Sequence, residues 1–180
     1  MKKQNTKKLA YAALFLALCL VLPMLTGQIP QIGSMLLPMH IPVLLCGLVC
    51  GWQYGAAVGF VAPLLRSVLF GMPPMYPVAI AMAFELLTYG LVIGLVYRRM
   101  AQKGAAGVYA ALLTAMVAGR LVWGVAEVVL LGLGGKAFTA QAFLAGALLN
   151  AVPGIIVQLV LIPAVMTALQ KAGAVKEYAE

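Results

Sequence analysis

Four charged residues interrupt long apolar stretches of this sequence: Arg66, Glu85, Arg120 and Glu127. Placing one charged side chain in the hydrocarbon of a membrane costs about 2.5–3.5 kcal/mol on insertion scales. Each charge therefore needs compensation by another side chain, by water or by a ligand. Ionisable groups in such positions are, by default, candidates for a binding site.

Two of these stretches combine charges with aromatic residues. Arg120, Trp123 and Glu127 are three and four residues apart, a spacing that places them on one face of a helix. An indole between a guanidinium and a carboxylate can stack on a flat ring while the charges hold its substituents. Glu85 and Tyr89 share a second face of the same mixed character. These faces predict a site for a small, flat, charged molecule.

Internal ion pairing is the alternative explanation for the charges. Arg66 with Glu85, or Arg120 with Glu127, would neutralise a bundle interior without any ligand. Trp123 would then be an ordinary packing residue. We favour the ligand site, because ionisable groups inside a membrane more often mark function.

The elements that position these residues are apolar segments long enough for a membrane. The chain is 64% hydrophobic and 9% charged, with a mean hydropathy of +1.06. Gly, Pro or charged breaks separate six segments, which span residues 9–25, 36–50, 54–70, 76–97, 108–131 and 143–169. The sequence therefore predicts an all-α integral membrane protein, a compact bundle of six transmembrane helices in one domain over residues 1–180.

The basic residues predict the orientation of this bundle. The ends assigned to one side carry Lys2, Lys3, Lys7, Lys8, Arg98, Arg99, Lys103, Lys171 and Lys176, and the other side carries Lys136. Basic loops stay in the cytoplasm, so both termini are predicted to be cytoplasmic. The net charge of +8 is thereby explained by topology, and we predict no nucleic-acid partner.

On this topology the polar groups gather in the external half of the bundle. His40 and Asn150 fall in the outer parts of the second and sixth helices, and Gln28 and Gln31 lie in an external loop that resembles a lid. Small residues four apart predict close helix packing at Ala13/Ala17, Gly47/Gly51, Gly55/Gly59 and Gly90/Gly94.

Several classes of chemistry are disfavoured. His40 is six residues from Cys46, which places the two on different faces of a helix, so we predict no metal site. Gly132–Lys136 lacks the Ser or Thr of a phosphate loop, and no set of catalytic residues accompanies the two carboxylates. We therefore predict no enzyme activity and no cofactor in this chain.

Residues 36–98, which begin LLPMHIPVLLCGLVCGWQYG, resemble the central helices of the substrate-binding S components of bacterial energy-coupling factor (ECF) vitamin transporters. Ala13-Leu-Phe-Leu-Ala17 is similar to the AxxxA pattern in the first helix of that family. The resemblance implies a vitamin or vitamin precursor held near the external face, in the bacterial cell membrane. It also implies that Ala13 and Ala17 pack on a T component, which two cytoplasmic ATPases drive with ATP.

Two other functions remain open at this stage. An ion-coupled secondary transporter or channel would use Glu85 and Glu127 to carry protons or cations. A structural subunit would use the charges only as internal pairs.

Two arginines suit a carboxylate or phosphate and two glutamates suit an amine or ring nitrogen, so the residues favour a zwitterionic or heteroaromatic substrate.

Overall fold

The structure is a computed structural model, and it describes residues 2–25, 35–135, 139–146 and 151–173. These residues form helices and turns without a strand. The α-helices are α1 (Lys2–Leu25), α2 (His40–Cys50), α3 (Trp52–Phe70), α4 (Ile80–Met100), α5 (Ala105–Leu133), α6 (Ala140–Leu144) and α7 (Val152–Lys171). A π-helical turn, Met75–Ala79, leads into α4. The predicted all-helical architecture is confirmed.

Five of these helices are long and apolar enough to cross a membrane. They are α1, α3, α4 with the turn that precedes it, α5 and α7. Within them α4 is the most enclosed, since 50% of its apolar window is buried, against 33% or less in the other four. The bundle is therefore organised around α4, which carries Glu85 and Tyr89.

The second predicted span is shorter than expected. It covers His40–Cys50, 11 residues, whereas the sequence predicted 36–50. At about 1.5 Å per residue it is about 16 Å long, well below the ~30 Å hydrocarbon core. Nine of its residues are buried, because α3, α4 and α1 surround it. A helix enclosed by protein has no need to match the bilayer thickness.

Glycine sets the distance between α2, α3 and α4. A Cβ on Gly90 would lie 2.2 Å from the backbone of Gly55, and one on Gly55 would lie 2.7 Å from Cα of Gly47. A Cβ on Gly59 would likewise lie 2.2 Å from the carbonyl oxygen of Leu86. These backbones touch directly, so the predicted close packing is confirmed here. Gly51 instead separates α2 from α3, at a φ of 98°.

The last predicted helix, 143–169, is divided. The short α6 ends at Leu144 and α7 begins only at Val152, with Pro153 in its first turn. Proline fits the first turn of a helix because the N–H that it lacks has no intrahelical partner there. The segment from 143 was therefore wrongly joined to α7, although Pro153 was a visible signal of the boundary.

The basic ends of the helices lie at one end of the bundle. Gln170 Nε2 donates a hydrogen bond to Tyr97 Oη at 3.1 Å, so α7 and α4 end side by side, next to Lys171 and to Arg98 and Arg99. Trp52, the first residue of α3, lies against Gly94 near the end of α4, so α3 begins at this basic end. Arg66, near the other end of α3, bonds to Leu20 near the end of α1, so α1 also begins at the basic end. The charge asymmetry used for topology is present in the fold, while the side of the membrane stays a prediction.

Candidate functional site

Glu85 lies at the centre of a buried group of polar side chains from three helices. Its Oε1 is 3.0 Å from Nη1 of Arg120 on α5 and 3.4 Å from Nε2 of His40 on α2. Glu85 and His40 are 1% and 2% exposed. Tyr89, one turn after Glu85, packs edge-on against the His40 imidazole, with ring centroids 5.2 Å apart. We call His40, Glu85 and Arg120 the polar cluster.

Local sequence explains how these side chains meet. His40 begins α2, and its backbone N–H bonds to the carbonyl of Leu37, which turns the chain inward at that point. Gly119 precedes Arg120, and a Cβ there would lie 3.0–3.1 Å from the ring of Tyr89. The missing side chain lets α5 approach α4 closely, so that the guanidinium of Arg120 reaches Glu85.

Neither of the ion pairs suggested by the sequence is formed. Gly59 packs at Leu86, and Arg66 lies seven residues beyond Gly59, so Arg66 is about 10 Å along the axis from the level of Glu85. Arg120 and Glu127 are seven residues apart on one helix, also about 10 Å, whereas helical ion pairs form at three or four residues. Arg120 pairs instead with Glu85, because the two residues lie at the same depth on neighbouring helices, and this relative position cannot be seen in the sequence.

Arg66 has a different environment. It is 3% exposed, and its Nη1 donates a hydrogen bond of 2.6 Å to the carbonyl oxygen of Leu20. Its guanidinium also lies over the ring of Phe70, 5.4 Å from the centroid. Arg66 thus fastens α3 to α1 outside the polar cluster, and these contacts suit a structural role.

Trp123 and Glu127 extend the α5 face beyond Arg120. The Arg120 guanidinium is 5.8 Å from the centroid of the Trp123 ring, and the ring of Phe143 stacks on the Trp123 ring at a centroid distance of 6.1 Å. The indole of Trp123 therefore connects the polar cluster to Phe143 of α6. Glu127, one turn beyond Trp123 on the same helix, is 7% exposed. Two residues of the predicted α5 face, Arg120 and Trp123, are thus in contact, and the third, Glu127, is buried.

Gln158 on α7 belongs to the same level of the bundle, and the sequence reasoning missed it. It is 1% exposed. Counting back twelve residues, or about 18 Å, from the Gln170–Tyr97 hydrogen bond leads to Gln158 on α7 and to Glu85 on α4. The signal available in the sequence was a lone amide within the apolar run VPGIIVQLVLIP.

The buried polar atoms are incompletely paired. Nδ1 of His40, Nε and Nη2 of Arg120 and Nε2 of Gln158 have no hydrogen-bond partner among the described residues, and Oε1 of Glu85 and Nε2 of His40 have only their ion-pair contacts. Leaving a buried polar group without a hydrogen bond costs about 1–3 kcal/mol. Such a concentration of unpaired groups at one depth is unusual for a core that serves packing alone.

Three predicted site residues, Gln28, Gln31 and Asn150, lie outside the described residues. Ala13 and Ala17 are on the outer surface of α1, exposed, while Ala12, Phe15 and Cys19 of the same helix face the core. The two alanines are thus accessible to another protein or to lipid.

A groove of about 360 Å³ lies away from the polar cluster. Its lining is almost entirely apolar and includes Leu121, Val125 and Val128, three exposed residues of α5. In a membrane this surface of α5 contacts lipid chains, so the groove does not compete with the cluster as a site for a polar ligand.

Comparison with protein-family models gives a match to the ECF transporter, substrate-specific component, over residues 7–169. Comparison with curated proteins and with solved structures gives no significant match. The matched region contains every residue of the polar cluster and all the helices of spanning length except the ends of α1 and α7. The chain is a multi-pass membrane protein, and it belongs to the family of substrate-specific components of ECF transporters, a family of substrate-binding rather than catalytic proteins.

Proposed function

We propose that this protein captures a vitamin or vitamin-precursor molecule at the polar cluster and delivers it to an ECF-type ABC importer of the bacterial cell membrane. The observation that carries the proposal is the buried Glu85–Arg120 ion pair, with His40 beside it, at the meeting point of α2, α4 and α5. In a chain of this family, such a group is the natural place for a polar substrate.

The importer requires partners that couple binding to ATP hydrolysis. The proposal assigns this role to a T component and two cytoplasmic ATPases, with Ala13 and Ala17 as the contact surface on α1. Both alanines are exposed, and small side chains allow another helix to approach closely. The chain itself would need no cofactor.

The ion-coupled alternative has less support. It requires Glu85 to exchange protons or cations during transport. Arg120 already compensates the charge of Glu85 at 3.0 Å, so a cation would have to displace a guanidinium fixed on another helix. The polar cluster is better suited to hold a substrate than to release a coupling ion.

A thermal-shift screen of the detergent-purified chain against water-soluble vitamins and their precursors tests the proposal. A ligand that binds only the folded state raises its stability, by about 2.7 kcal/mol at 100 times its Kd. We expect one compound, or one closely related set, to raise the melting temperature. A well-folded sample that responds to no compound would argue against substrate capture.

The Glu85→Gln/Arg120→Gln double variant locates the binding. It removes both charges of the pair together and so leaves no buried charge unpaired. The ligand-induced shift should disappear in this variant and persist in Arg66→Lys, which alters a guanidinium outside the polar cluster. A shift retained in the double variant would place the ligand elsewhere.

A further inference from the structure

We propose that the ligand held at the polar cluster carries a carboxylate, which docks on Nε and Nη2 of Arg120. This inference rests on the proposed function, because it takes the polar cluster as the substrate site. It adds the chemical group that the site recognises and the atoms that recognise it.

Only one of the three guanidinium nitrogens of Arg120 contacts a carboxylate of the residues that the structure describes. Nη1 faces Glu85 at 3.0 Å, whereas Nε and Nη2 are buried and have no hydrogen-bond partner among the described residues. In a guanidinium, the N–H of Nε and one N–H of Nη2 point in parallel. Two parallel donors match the two oxygens of a carboxylate, and this bidentate geometry is among the strongest hydrogen-bonded contacts in proteins.

The other unpaired groups also favour an acceptor on the ligand. Nε2 of Gln158 is a buried amide donor, and a neutral imidazole at His40 provides one donor and one acceptor. Within the described part of the chain, unpaired donors therefore outnumber unpaired acceptors. A ligand that presents a cation or only N–H groups would leave the donors of Arg120 unsatisfied.

Charge balance distinguishes a carboxylate from a phosphate. Arg120 and Glu85 already compensate each other, so the pair carries no net charge. A carboxylate adds a single negative charge to this buried region. A phosphate monoester carries about −1.5 to −2 at neutral pH and would cost more to bury beside the carboxylate of Glu85. The polar cluster thus favours a singly charged acid.

Affinity selection on the full chain tests the proposal with a mixed pool of natural compounds. The purified protein is incubated with the small-molecule fraction of yeast extract, desalted and denatured, and the released compounds are identified by mass spectrometry. Chemical amidation of the released compound reveals a carboxyl group through its mass change. We expect a carboxylic acid without a phosphate group.

The acid is then compared with its own primary amide on the unmodified protein. The amide should bind at least about 100-fold more weakly, since its NH2 group cannot accept the second hydrogen bond and its negative charge is lost. Arg120→Lys keeps the positive charge beside Glu85 but cannot form the parallel pair of donors, and it should weaken the acid to a similar degree. Arg66→Lys is the matched control and should change the affinity less than about threefold.

The outcomes separate this inference from the proposed function. A released compound without a carboxylate, a phosphorylated compound, or an amide that binds as tightly as its acid would overturn the inference and leave substrate capture intact. An unchanged affinity in Arg120→Lys would also overturn it. If the folded protein retains no compound at all, the proposed function fails, and this inference fails with it.

Discussion

Removing one partner of the Glu85–Arg120 ion pair should destabilise the protein more than removing both. The charged atoms are 3.0 Å apart, and the side chains of Arg120 and Glu85 are 13% and 2% exposed. Breaking a buried pair costs about 3–5 kcal/mol, because one charge is left without compensation. Replacing both partners by neutral residues of similar volume is often nearly neutral. Glutamine at both positions retains the shape of the site and removes its charges.

The expected shift in melting temperature follows from these values. For a chain of 150–250 residues, 1 kcal/mol corresponds to about 2–4 °C. A loss of about 3 kcal/mol therefore lowers the melting temperature of Glu85→Gln or Arg120→Gln by about 6–12 °C. The double variant should melt within about 4 °C of the unmodified protein, which gives a coupling free energy of about 3 kcal/mol or more.

The assay is thermal unfolding of the ligand-free protein in detergent, followed by intrinsic fluorescence. Arg66→Gln is the matched control, because Arg66 bonds to the Leu20 carbonyl and lies about 10 Å along the axis from Glu85. Its effect should add to that of Glu85→Gln within about 0.5 kcal/mol. A Glu85/Arg120 double variant that melts at the sum of the two single losses would show that the two charges do not depend on each other.

Two further predictions concern packing and assembly. Gly90→Ala should cost about 1–3 kcal/mol in the same unfolding assay, because its Cβ would lie 2.2 Å from the backbone of α3. Gly132→Ala has open space around its Cβ and should be neutral or slightly stabilising, and equal losses in both variants would contradict the packing argument. Ala13→Leu/Ala17→Leu should leave the isolated chain within about 0.5 kcal/mol of its original stability but reduce co-purification with co-expressed T component and ATPases. Ala164→Leu, at an exposed position of α7, is the control, and undiminished co-purification of the Ala13/Ala17 variant would exclude this surface as the contact.

The sequence predicted the helices and drew attention to the charged residues of the polar cluster for the same physical reason. A bilayer requires long apolar segments, and it makes every charge within them costly, so Glu85 and Arg120 stand out from their surroundings. It could not predict their pairing, because that depends on which residues of two helices lie at the same depth. The contact of Gly119 on α5 with the Tyr89 ring on α4 sets this register, and no periodicity within one helix contains it.

Gln158 and α2 show two other limits. A neutral amide costs less to bury than a charge, so Gln158 did not stand out in an apolar run, although its burial is complete at 1% exposure. The length of α2 was overestimated because apolar residues before His40 suggested a continuous span. Hydropathy reports burial in lipid and burial in protein alike, and α2 is buried in protein.

The direct backbone contacts among α2, α3 and α4 have a mechanical consequence. Backbone lies directly against backbone at Gly55 and Gly90, and Gly47 lies against the backbones of both, with the Ile93 side chain beside it, so the three helices pack as one block. His40 and Glu85 are fixed to that block, whereas Arg120 is carried by α5 and Gln158 by α7. The polar cluster therefore combines side chains of this block with Arg120 of α5, which packs closely on α4 at Gly119. A ligand bound to both would connect α5 to the block through contacts of its own, in addition to that helix packing.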